Sequence, residues 1–116
     1  MEPVAVDTGR FESTLVVLPE HLQQDGYVHA GVLATIADHT AGYAAYTTID
    51  PPYRILTVEF KINYMKPAMG ERIVCKAHVL NNGKTIKVVE SSVYIQKGDH
   101  ETLTAKGMFT QIAVVR

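Results

Sequence analysis

The sequence predicts an α+β fold in which an antiparallel sheet wraps one long central helix, and three observations carry that prediction. One stretch only, Ala30 to Thr48, has apolar residues at sustained helical spacing. A strand pattern precedes it and four more follow. The connections between the later strands are short and rich in turn residues, above all Asn82-Gly83. Such connections suit hairpins and exclude the long crossovers that a parallel sheet needs.

The first strand falls between Arg10 and Leu18, where FESTLVVL is rich in β-formers and Pro19 ends the run. A loop from Glu20 to Val28 follows. In the helix, Leu33, Ile36, Ala37, Ala41, Ala44 and Ala45 recur at helical spacing, and Ala34, Thr35, Gly42 and Tyr43 leave its other faces only weakly polar. A helix apolar nearly all round is expected to be buried. Asp50-Pro51-Pro52 ends it. Beyond it, Leu56, Val58, Phe60, Ile62 and Tyr64 alternate with Thr57, Glu59, Lys61 and Asn63, the period of a strand with one buried face and Thr57 on the polar one. A turn at Pro67 to Gly70 and strands over Glu71–Leu80, Lys84–Gln96 and Glu101–Val115 complete a predicted four-strand meander.

The 116 residues fit a single domain, and a hydrophobic content of 47% is enough to build a core. A domain this small buries only about two-thirds of its unfolded surface, so association with a second copy would help it. A net charge of −1 without a basic stripe argues against nucleic acid as a partner, since phosphates need clustered cations. Cys75 is the sole cysteine, which excludes an internal disulfide and a multi-cysteine metal site and suits a reducing compartment. The amino terminus lacks the charged start and apolar run of a signal peptide, and no apolar run approaches the roughly 18 residues of a membrane span. A cytoplasmic protein without a membrane partner is expected.

Asp38 is the most informative residue for chemistry. It is the only charged side chain between Asp25 and Asp50 and lies mid-helix in the most apolar stretch. An unpaired carboxylate is costly to bury. Asp38 is therefore either a working carboxylate or a structural or exposed one, and periodicity alone does not separate these. His29, Ala30 and Gly31 stand where loop becomes helix, and unpaired N–H groups at a positive helix end can hold a developing oxyanion. His29 could act as a general base or bond backbone in the loop. Gln23 and Gln24 could orient a water, although loop glutamines are commonplace. His39 beside Asp38 is no dyad, because adjacent helical residues point apart. His21, His29 and His39 lack metal-ligand spacing, so no metal is expected. Cys75 at mid-strand reads as core.

The run HLQQDGYVHAGVLATIAD, from His21 to Asp38, resembles the signature of the PaaI-like hotdog-fold acyl-CoA thioesterases. TVEFKINYMKPAMGE, from Thr57 to Glu71, and HVLNNGKT, from His78 to Thr85, resemble that family's strand-and-turn and hairpin motifs. The similarity covers the chain from about Pro19 onward, with several motifs in order. It implies a hotdog fold with a five- or six-stranded sheet, a homodimer paired edge to edge, sometimes a tetramer, and active sites at the dimer interface. It also implies hydrolysis of an acyl-CoA, with CoA as part of the substrate and no separate cofactor. The family's catalytic acid falls on Asp38, its oxyanion N–H on Ala30, its orienting Asn on Gln23 and its strand hydroxyl, contributed across the dimer, on Thr57. Two positions depart from the pattern. Ala30 replaces a glycine, which preserves the N–H if no positive φ is needed. Gln23 replaces Asn, so Gln24 is an alternative. Arg54, Lys66 and Lys84 are candidate cations for the CoA phosphates. Many family members carry a helix ahead of the first strand; here that strand starts almost at once, and a more open acyl pocket is expected. The contrasting reading is a non-catalytic hotdog module that binds acyl-CoA or serves in assembly. A hotdog dehydratase would need a paired Asp and His that is not found.

Overall fold

The computed structural model describes residues 1–115. In chain order the elements are β1 (Glu2–Asp7), β2 (Arg10–Val16), a short 3-10 turn (Pro19–His21), α1 (Ala30–Tyr46), β3 (Tyr53–Tyr64), β4 (Arg72–Asn82), β5 (Ile86–Lys97) and β6 (His100–Val115). The six strands form one antiparallel sheet in the order β1-β2-β4-β5-β6-β3. Helix α1 packs against five of them, β2 to β6. This is the hotdog arrangement.

The helix seats closely because its inward positions are small. Ala37, Ala41, Ala44 and Ala45 are wholly buried, with Leu33 and Ile36, against Ile73, Val89, Val93 and Phe109 of the sheet. A few polar groups share this interior, and most of them find partners. Thr40 and Ser13 join hydroxyls at 2.6 Å, and Ser91 donates to the Ala37 carbonyl at 2.8 Å. Cys75 lies among them, fully buried as expected.

The architecture departs from the sequence expectations in several ways. The sheet gains a strand, β1, which forms a hairpin with β2 across Thr8-Gly9; all six of its residues are exposed, so no buried alternation announced it. The last four strands are not a meander, because β3 pairs with β6 and not with β4. Segment 65–71 crosses past the helix start instead of turning back, and its Ala68 carbonyl accepts the Val28 N–H at 2.8 Å. The helix ends at Tyr46, not Thr48. The Thr47 and Thr48 hydroxyls bond back to the Ala44 and Ala45 carbonyls at 2.6 and 2.7 Å and close the last turn. Finally, the helix is not buried all round: Gly31, Thr35, Tyr43 and Tyr46 are exposed, and Asp38, His39 and Gly42 lie half-buried.

Strand β3 supplies the correction that matters most for function. A bulge between Thr57 and Glu59 leaves Val58 without a partner on β6. Directly paired residues share a face, and from Ala105 onward the buried residues of β6 are Ala105, Gly107, Phe109, Gln111 and Ala113. Their partners Ile55, Thr57, Phe60, Ile62 and Tyr64 therefore face the helix. The expected apolar face is split by the bulge, and Thr57 is turned from the supposed polar side toward α1. Because β3 is an edge, this face is only partly covered, and Val58 and Phe60 remain 58% and 49% exposed.

Candidate active site

The loop ahead of α1 is shaped by its own backbone. Leu22 bridges Val28, and a turn is closed by the Gly26 N–H on the Gln23 carbonyl at 2.9 Å. Gly26 has φ +86°, a conformation that side chains resist. The His29 N–H bonds the His21 carbonyl at 2.9 Å, which delivers the chain into the helix. The ring that serves this loop is that of His21, whose Nδ1 accepts the Leu18 N–H at 2.9 Å. The exposed His29 is the helix cap by position but makes no side-chain cap bond, so the expected loop bond from its ring is absent.

Ala30 opens α1 and is exposed. Among the described residues only glycines have a positive φ, so alanine here is unstrained. The His29 carbonyl accepts the Val32 and Leu33 N–H groups, and the Ala30 and Gly31 N–H groups have no acceptor among the described residues. A cavity of about 370 Å³ lies at this helix end, lined by Gln23, Tyr27, Ala30, Leu33, Tyr64 and Lys66 among others. Gln24 does not line it. The Tyr64 hydroxyl donates to the Ala30 carbonyl at 3.1 Å and joins the end of β3 to the start of α1.

Asp38 lies two turns further along and faces β3. Its Oδ1 accepts the Thr57 hydroxyl at 2.7 Å. Thr57 in turn accepts from the Gln111 Nε2 at 3.1 Å, across the β3–β6 pair. Sequence reasoning missed Gln111: a glutamine in a strand carries no signal of its own. Asp38 is thus neither deeply buried nor unpaired. Its neighbour His39 points away toward Tyr43, with ring centroids 4.7 Å apart. Burial there holds the His39 imidazole below its ordinary value, the positive amino terminus adds to this, and Asp38 opposes it.

The three candidate cations are not together in one chain. Lys66 lies by the helix start. Arg54 and Lys84 line separate cavities around residues 48–54, at the other end of the helix. Among the described residues no three His, Cys, Asp or Glu side chains gather to hold a metal ion, and no helix is long and apolar enough to cross a membrane.

Comparison with known proteins fixes the family. Residues 25–102 match the thioesterase superfamily. The chain belongs to that superfamily. The match takes in the Ala30 helix end, Asp38, Thr57 and the Asn82-Gly83 hairpin. Human acyl-coenzyme A thioesterase 13 is 33% identical over 109 residues, covering 93% of this chain and 76% of that one. A Halobacterium salinarum relative is 32% identical over 101 residues, 85% of this chain, and the chain spans 63% of that relative's length. Among solved structures, a thioesterase family protein from Silicibacter pomeroyi superposes with TM-score 0.97 at 32% identity, over 99% of this chain and 85% of that one. A Streptococcus mutans protein bound to acetyl CoA superposes with TM-score 0.85 at 26% identity, over 99% and 89%. Membership of the thioesterase superfamily and the hotdog fold thus agree with what the motifs of the sequence imply.

Proposed function

We propose that this chain hydrolyses an acyl-CoA thioester at a site built by two copies, with Asp38 of one chain facing the Ala30 N–H of the other. The observation that carries this reading is the 2.7 Å hydrogen bond from Thr57 to Asp38. It holds a half-exposed carboxylate in one orientation on an apolar helix, next to an open sheet edge.

Length supports two copies. Ala30 and Asp38 are eight residues apart on one helix, and at 1.5 Å per residue that is about 12 Å. A single thioester carbonyl cannot meet both. The twelve-residue edge strand β3 offers the remedy. A long exposed edge with Val58 and Phe60 uncovered is a template for pairing with another strand. Antiparallel pairing of two β3 strands centred on Lys61, with Val58 again left unpaired, would bring Thr57 of one chain opposite Tyr64 of the other. Both residues face the helix side, and Tyr64 is bonded to Ala30. That pairing would also carry Arg54 of one chain toward Lys66 of the other, so two of the three cations would meet at one cavity mouth.

The chemistry then follows. The thioester oxygen accepts the Ala30 N–H at the positive helix end, with the Gln23 amide beside it. In one route Asp38 takes a proton from water as the water oxygen attacks the carbonyl carbon. The tetrahedral oxyanion collapses, the C–S bond breaks, and the CoA thiolate is protonated. In the other route Asp38 itself attacks, expels the thiolate and forms an anhydride that water opens. The acetyl CoA bound to the Streptococcus mutans neighbour supports CoA as the carrier. The lone buried thiol is in keeping with a cytoplasmic setting.

The test is release of free CoA thiol from acetyl-, hexanoyl- and benzoyl-CoA. Turnover of at least one, abolished in Asp38→Asn, is expected. Wild-type protein that binds these esters without cleaving any would leave a non-catalytic module.

A further inference from the structure

We infer that Gln111 is a positioning residue for the reaction, holding the Thr57 hydroxyl so that its only hydrogen points at Asp38. The inference rests on the proposed role of Asp38 and deepens it.

Gln111 is fully buried on β6, paired with Thr57 on β3 and with Lys87 on β5. Its Nε2 donates to Thr57 Oγ1 at 3.1 Å, and Thr57 Oγ1 donates to Asp38 Oδ1 at 2.7 Å. Its amide also lies below Gly42, one turn beyond Asp38, where a Cβ would stand 3.9 Å from Nε2. The other end of the amide is anomalous. Gln111 Oε1 is the one buried side-chain polar atom among the described residues without a hydrogen-bond partner.

Donor and acceptor counting explains the anomaly. An ionised carboxylate can only accept. Thr57 has one hydrogen, so a Thr57 that donates to Asp38 can only accept from its other neighbour. Gln111 must then turn its NH₂ toward Thr57 and leave its carbonyl unpaired. The opposite amide orientation would let the carbonyl accept from Thr57, and the hydroxyl would be lost to Asp38. Buried polar atoms are rarely left unpaired, and each such case calls for a reason. Here the reason is the direction of the chain Gln111 to Thr57 to Asp38. Gln111 touches neither substrate nor carboxylate and acts through Thr57 alone.

The experiment is a double-mutant cycle with two readouts, using whichever of the three acyl-CoA esters turns over fastest. Gln111→Met keeps the length and removes the donor. It should lower kcat about 3- to 10-fold, the worth of one neutral hydrogen bond, with KM within about twofold. Thr57→Val should lower kcat at least as much, and the double variant should be no slower than Thr57→Val. Strictly multiplying losses, or a loss in KM alone, would overturn the inference. The second readout needs no change at position 111. The side-chain amide resonances of Gln111 in ¹H–¹⁵N spectra should shift in Asp38→Asn, and that shift should vanish when residue 57 is valine. An unmoved Gln111 amide would also overturn it. An inactive Asp38→Asn with multiplying losses removes Gln111 and keeps Asp38, whereas an active Asp38→Asn removes both.

Discussion

The Tyr64 hydroxyl rests on the Ala30 carbonyl oxygen at 3.1 Å, so the end of edge strand β3 is fastened to the start of α1. Seven positions earlier on the same strand, Thr57 is fastened to the middle of that helix through Asp38. Disturbing the edge should therefore disturb both ends of the proposed site.

Val58→Asp tests the edge. Val58 is 58% exposed and has no partner on β6, so the single chain should tolerate the change. A charge placed in a paired strand edge is expected to oppose association. Light scattering should find the wild type as a dimer or a larger even assembly and the variant as a monomer, folded by circular dichroism and inactive. An active monomer would remove the two-chain site.

Ala30→Pro removes the N–H proposed for the oxyanion. His29 already has ψ 138°, which suits a residue before proline, and proline is accepted in the first helical turn. The variant should fold, and its rate should fall roughly 100- to 1,000-fold. Activity near wild type would assign the oxyanion to another donor.

Mixing the Ala30→Pro and Asp38→Asn chains after unfolding separates a shared site from one contained in a single chain. Random pairing makes half of the dimers mixed, and each mixed dimer holds one intact site out of two. About a quarter of wild-type activity should return in a symmetric pair. If each site used Ala30 and Asp38 of the same chain, no activity would return.

Asp38→Asn alone should cost roughly 10²–10⁴ in rate. Its stability should change little, within about 0.5 kcal/mol, because Asp38 is half-buried and an amide oxygen can still accept from Thr57. A large fall in melting temperature with unchanged specific activity would make Asp38 structural.

Acid sensitivity should report His39. Its folded-state value lies below the ordinary 6.5, chiefly because burial removes the imidazole from water. The folded chain then binds fewer protons than the unfolded one in this range. This part of the stability is present above pH 6.5 and is lost as pH falls through the folded value. Melting temperatures from pH 8 to 5 should drop less steeply for His39→Gln. An identical slope would show that His39 does not contribute.

The sequence carried the helix, the Asn82-Gly83 hairpin and the strand periods, because each rests on a local rule of spacing or turn chemistry. It carried Asp38 and the Ala30 end for the same reason: a lone charge and a loop-to-helix junction are visible in one dimension. β1 was hidden because Glu2–Asp7 buries nothing within the chain. The β3–β6 pairing was hidden because strand order is decided by where the chain crosses the helix, and no local signal in segment 65–71 marks that route. Gln111 was out of reach altogether. Its meaning lies in a residue 54 positions away that only the pairing of β6 with β3 brings alongside.

The unpaired Val58 works as a phase slip in the strand. The stretch before it is read in one parity and delivers Thr57 to the carboxylate; the stretch after it is read in the other and turns Phe60, Ile62 and Tyr64 to the helix side, with Tyr64 at the helix start. No substitution can merge the two readings, because parity belongs to the count of residues and not to their identity. Removing Val58 would leave every other side chain in the sequence and yet send either the hydroxyl or the tyrosine to the wrong side of the sheet. The spacing of the proposed site is thus stored as a length.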